Sequence, residues 1–132
     1  MPANSSEVVF KDFNITFAGH PVTGALATLK NNEAVTRAVR SLILTNRYER
    51  RYQPNVGGNV VRHLFENFSP FTIHSLKKSI ETTLSNYEPR VSLIDIRTNV
   101  VEDNNRLDIT IIYRIVNQAQ PVESTIIIER VR

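Results

Sequence analysis

Glu88 and Arg90 stand on either side of Pro89, and their types and spacing suggest recognition chemistry. In an extended backbone, residues two apart turn to the same side. Proline fixes its own φ and drives the residue before it out of the α region. A carboxylate and a planar guanidinium fork are therefore presented together on a stiff corner. One reading is a solvated charge pair at a helix-to-strand junction, worth at most ~1 kcal/mol when exposed. The other is a preformed clip for a partner, with Arg90 offering its fork and Glu88 the complementary acceptor. Residue types alone leave both open.

Other groups point less sharply. Glycosidic cleavage needs two carboxylates facing across a cleft, roughly 5 to 9.5 Å apart. Glu49, Glu66, Glu81, Glu88, Asp95 and Asp108 supply carboxylates, but no motif pairs them. A neighbouring arginine favours the ionised form of a carboxylate, whereas a general acid must keep its proton. No residue is therefore assigned a catalytic role. The run Arg47-Tyr48-Glu49-Arg50-Arg51-Tyr52 interleaves cations with aromatics, which suits phosphates and bases. Without a wider basic stripe it reads better as a solvated loop whose tyrosines pack over helix ends. Gly57-Gly58 lacks the lysine of a phosphate-binding loop and reads as a turn. His20, His63 and His74 are scattered without metal-ligand spacing, and there is no cysteine, so neither a metal nor any other cofactor is expected.

These residues need a frame. Phe10, Phe13, Ile15 and Phe17 alternate with polar residues between Glu7 and Phe17, which predicts a short N-terminal strand or arm, and a loop follows at Gly19 to Gly24. Asn31 or Asn32 caps a first helix to about Thr45, with Val35, Val39, Leu42 and Ile43 on one face. Val60, Val61, Leu64, Phe65 and Phe68 predict a short second helix, and the aromatics Phe65, Phe68 and Phe71 a buried cluster. Thr72 caps a third helix along Ile73, Leu76, Ile80, Leu84 and Tyr87, which Pro89 ends. The period then changes to two. Ile94, Ile96 and Val100 share a face of one strand; Leu107, Ile109, Ile111, Tyr113 and Ile115 share a face of the next. The last strand, Val122 to Val131, carries the apolar run Thr125-Ile126-Ile127-Ile128 on both faces. Such a strand is either central in its own sheet or an edge covered by another chain.

The expected fold is α+β: three helices packed on a small, mostly antiparallel sheet of the C-terminal strands, with a short N-terminal strand or arm. Residues 1–132 form a single domain, divided into an arm and loop (1–30), a helical half (31–87) and a β-sheet half (90–132). Ordinary fractions of hydrophobic (41%) and charged (22%) residues fit a globular chain, with no run of the ~20 apolar residues that would span a bilayer. Met1 to Ser6 lack the features of a signal peptide, so no secretion is expected. A net charge of +3 permits an acidic partner without demanding one.

Taken in order, these stretches resemble the baseplate wedge family of contractile-tailed phages, the sheath initiators that share a fold with a type VI secretion baseplate subunit. The resemblance rests on Asn32-Glu33-Ala34-Val35, Thr45 with Glu49-Arg50, Pro54 and Gly57, Leu64-Phe65-Glu66, and above all Tyr87-Glu88-Pro89-Arg90-Val91. It covers roughly residues 12 to 116 of a domain-sized chain. The family usually has glycine before the glutamate-arginine pair, where this chain has Tyr48. The resemblance implies a structural virion protein of the tail baseplate, assembled in the host cytoplasm, with no enzymatic activity. It implies docking through Glu88, Pro89 and Arg90 on the helical trunk of other wedge proteins. It also implies contact of the sheet with tail sheath subunits, for which Thr125, Ile126, Ile127 and Ile128 are candidates by strand addition. On that view Arg90→Ala leaves the fold intact and stops wedge assembly. No small-molecule substrate, nucleic acid or membrane is expected as partner. The rival readings are a peptidoglycan-cleaving, lysozyme-like enzyme and a small nucleic-acid-binding domain.

Overall fold

The computed structural model describes residues 10–14, 16–116 and 118–129. The fold is α+β, with three helices and two antiparallel sheets. The chain forms two compact units, one up to Arg37 and one from Ala38. In the first, β1 (Lys11–Phe13) pairs antiparallel with β2 (Thr28–Lys30). The second of these strands was not expected, since Thr28-Leu29-Lys30 is too short to show a period. Residues 7–9 and Ile15 of the expected first strand, and Arg130 and Val131 of the last, lie outside the described residues. Helix α1 (Asn32–Leu44) begins in this unit and ends in the next, with Glu33 in its first turn, where a carboxylate suits the helix dipole.

In the second unit, Val39, Leu42 and Ile43 of α1 are buried, as the apolar spacing requires. The glycine pair is a packing device. Gly58 N–H donates to Leu42 O at 3.2 Å, and a Cβ on Gly58 would lie 2.7 Å from Ile43 O, so only glycine fits this close backbone crossing. From the other side, Ser79 Oγ donates to Gly58 O at 3.0 Å and Thr83 Oγ1 to Gly57 O at 3.1 Å. Helix α2 is only Val60–His63. After it, Leu64, Phe65 and Glu66 donate to carbonyls three residues back, a tighter winding than the α spacing. That shift leaves Leu64 buried but Phe65 mostly exposed, and Phe71 is 81% exposed. The expected buried aromatic cluster therefore does not form.

Helix α3 (Pro70–Tyr87) is capped by Ser69, not Thr72: the Ser69 Oγ accepts from Thr72 N–H at 3.2 Å, and Pro70 occupies the first turn, where its missing N–H costs nothing. Leu76, Ile80 and Leu84 are buried along one face. The sheet has the order β3-β4-β5: Val91–Val101, Arg106–Ile115 and Pro121–Glu129. A 3₁₀ turn over Glu102–Asn104 joins the first two, closed by Asn105 in the left-handed region. Leu107, Ile109, Ile111, Tyr113 and Ile115 of the central strand are buried as a single face. β3 departs from strict alternation. Its register shifts between Leu93 and Asp95, so Ile94 is an extra residue turned outward, and Leu93 takes the place expected for Ile94 beside Ile96.

Candidate functional site

The Glu88 corner has the expected place and an unexpected degree of burial. Helix α3 closes with Glu88 N–H donating to Leu84 O at 3.0 Å, and Val91 N–H then reaches back to Glu88 O at 3.2 Å. Arg90 O accepts from Val116 N–H at 2.9 Å, which ties the corner to the end of β4. Within this frame Arg90 donates twice to one carboxylate: Nε to Glu88 Oε1 at 2.6 Å and Nη2 to Oε2 at 2.9 Å. The Glu88 side chain is only 6% exposed and that of Arg90 27%. This is a two-pronged ion pair with a buried carboxylate and a partly exposed guanidinium, not the solvated one of the first reading. Removing one partner of such a pair leaves a charge stranded in the interior. Pro89 and Tyr87 beside it are exposed.

A second fork of the same construction went unnoticed in the sequence. Arg106 Nε donates to Asp108 Oδ1 at 2.6 Å and Nη2 to Oδ2 at 3.0 Å, again two residues apart, here along strand β4, whereas Pro89 and Arg90 stand in a turn and not in the extended chain expected of the corner. The hydrogen bond to Asp108 holds the Arg106 guanidinium above its ordinary pKa; burial opposes this, and the charges of Asp108 and Glu129 add to it. The i, i+2 spacing of opposite charges was the available signal.

Of the two possibilities for the last strand, the described residues give the edge, in the order β3-β4-β5. β5 pairs with β4 from Arg106↔Glu129 to Arg114↔Pro121 without a register shift. Ser124 and Ile126 face inward; Thr125 and Ile127 face out, with Ile127 half exposed. The opposite edge is different. β3 carries the bulge at Ile94, and Asp95 Oδ1 accepts from Ile96 N–H at 2.8 Å, occupying a donor that an incoming strand would need. Bulges and charges of this kind discourage strand addition. The corner and the Thr125–Ile128 segment are not brought together. The segment pairs with Leu107–Thr110, whereas Val91 pairs with Ile115, five to eight residues further along β4, so at ~3.3 Å per residue it lies roughly 16 to 26 Å along the sheet from Val91.

The Arg47–Tyr52 loop is ordered by its own backbone: Tyr48 N–H donates to Pro54 O at 2.8 Å, and Asn46 N–H to Glu49 Oε2 at 2.8 Å. Tyr48 and Tyr52 both have φ of 68° and are 79% and 99% exposed, so neither packs over a helix end. Tyr48 thus holds the left-handed conformation that glycine would adopt without strain. Each carboxylate considered for catalysis is engaged: Glu49 and Glu88 as described, Glu66 with His63, Glu81 with Lys78, Asp95 with Arg97 and Asp108 with Arg106. Among the described residues no three His, Asp or Glu gather to hold a metal ion.

Comparison with known proteins follows the same outline. A family model described as baseplate wedge protein gp25 matches residues 30–120. Baseplate wedge protein gp25 of Enterobacteria phage T4 is 26% identical over 90 residues, 68% of each chain. Among solved structures, a chain of the anti-feeding prophage baseplate superposes with a TM-score of 0.64 at 19% identity, covering 89% of this chain and 83% of that one. A chain of the postcontracted pyocin R2 baseplate gives 0.60 at 20% identity, covering 74% and 96%. A protein of Geobacter sulfurreducens that carries the name tail lysozyme gives 0.65 at 21% identity, covering 74% and 89%.

Proposed function

Because this chain belongs to the baseplate wedge protein gp25 family, we propose that it works as a two-sided connector in a contractile tail, docking by its corner on other wedge proteins and offering β5 to the first sheath subunits. Its place is the tail baseplate, and among the described residues no helix is long and apolar enough to cross a membrane. The separation of the corner from the one regular sheet edge carries the reading. Two surfaces set apart on a rigid sheet can hold two partners at once.

At the corner, Tyr87, Pro89 and Arg90 form the contact, and the buried Glu88 fixes the guanidinium in one orientation, so little side-chain entropy is lost on docking. At the other end, a sheath strand adds to β5, its main chain supplying affinity and Thr125 and Ile127 supplying register. A ring of such strands at fixed spacing lowers the cost of starting a sheath. We read the chain as non-catalytic, since Glu88 and Asp108 are each held by an arginine fork and no motif pairs two carboxylates.

The test is reconstitution of wedges and sheath with Ile127→Lys, a change at an exposed position. The expected result is normal entry into wedges and loss of sheath nucleation. Sheath forming on the variant as on wild type would overturn the role of β5. A peptidoglycan turnover assay on the purified chain should give the buffer rate, and measurable turnover would reverse the non-catalytic reading.

A further inference from the structure

A groove of about 500 Å³ between α2 and α3 belongs to neither of these surfaces; Arg47, His63, Phe71, His74, Ser75 and Lys78 are among the residues lining it, and no carboxylate is. The stretch of chain around it is cationic. From Arg47 to Tyr87 six arginines and lysines stand against three glutamates, whereas from Val91 to Glu129 three arginines stand against six acidic residues. The floor is preformed, since the Gly57-Gly58 crossing and its hydrogen bonds to Ser79 and Thr83 hold α3 against the end of α1. Phe71 is a large ring left mostly in water at the groove. Lys78 meets Glu81 at 3.1 Å with both largely exposed, a pair weak enough to exchange for another carboxylate.

We propose that this groove receives an extended acidic segment of another protein, its carboxylates facing Arg47 and Lys78 and an adjacent apolar side chain covering Phe71. A nucleic acid fits less well. Its phosphates repeat along a line and need a matching row of cations, whereas the groove lining offers two permanent cations, Arg47 and Lys78. A covered aromatic commonly anchors the centre of a protein interface, with charged groups at its rim.

The experiment measures fluorescence anisotropy of two labelled probes with the full chain: a twelve-residue peptide of alternating Glu, Leu and Asp, and a single-stranded DNA of equal charge. The peptide should bind, and the Arg47→Glu/Lys78→Glu double variant should weaken it about tenfold or more. Phe71→Ser, which removes an exposed ring, should weaken it about threefold or more. Arg114→Glu, at an exposed sheet position outside the groove, should leave it unchanged. Circular dichroism checks that each variant is folded. Tighter binding of the DNA than of the peptide, loss of binding in Arg114→Glu equal to that in the groove variants, or no peptide binding at all would each overturn the proposal. So would groove-dependent self-association seen by sedimentation.

Discussion

At the scale of single residues, side-chain type and backbone conformation disagree most plainly at Tyr48. A tyrosine at φ of 68° costs about 1–2 kcal/mol relative to a residue at ease there, and its exposed ring returns no packing. Tyr48→Gly should therefore raise stability by about 0.5–1 kcal/mol, after allowing for the added freedom of the unfolded chain; thermal denaturation followed by circular dichroism would show it. No loss of far-UV signal is expected, because the hydrogen bond at this position, Tyr48 N–H to Pro54 O, is made by main chain. Nothing in the sequence announced that the glycine-type turn survives a tyrosine; propensity argues against it. Glu88 is the opposite case. Its pairing with Arg90 followed from spacing, but its burial did not, because that depends on what packs over the corner. The consequence is a changed expectation for Arg90→Ala: it should cost about 3–5 kcal/mol by leaving the buried carboxylate alone, measurable by urea denaturation. Arg90→Lys, keeping charge but losing the fork, separates docking from folding better.

At the scale of elements, regular ones were legible and irregular ones were not. β4 could be read residue by residue because Leu107 to Ile115 alternate without interruption, and each inward position is buried. In β3 the same rule failed at Ile94, since an extra residue leaves no mark on composition and shifts the faces by one. The second helix was read as too long, because Phe65 and Phe68 keep helical spacing even though the chain winds more tightly after His63. Helix α3 illustrates how near neighbours compete for a role: both Ser69 and Thr72 are capping types, and Pro70 decides between them by preferring the first turn. Ser69→Ala should lower stability by about 1 kcal/mol, whereas Thr72→Ala should cost less. Gly58→Ala should cost about 1–3 kcal/mol by pushing the loop off the end of α1. Both are readable from equilibrium unfolding midpoints.

For the molecule as a whole, the α+β class and the order of the helices and C-terminal strands were readable, though β2 was not, and so was the choice that the last strand be either central or an edge. Which of these it was depended on strand order, which no local pattern encodes. The contrast between the sheet's two margins then bears on how anything built upon it could proceed. One side, around Ile94 and Asp95, is kinked and occupied by its own hydrogen bonds; the other is straight along nine residues. If strands add to β5 as proposed, a unit with a single receptive side is a primer and a stopper together: it would begin a stack outward and would not insert into the middle of one. Polymerisation begun there has a polarity from its first step.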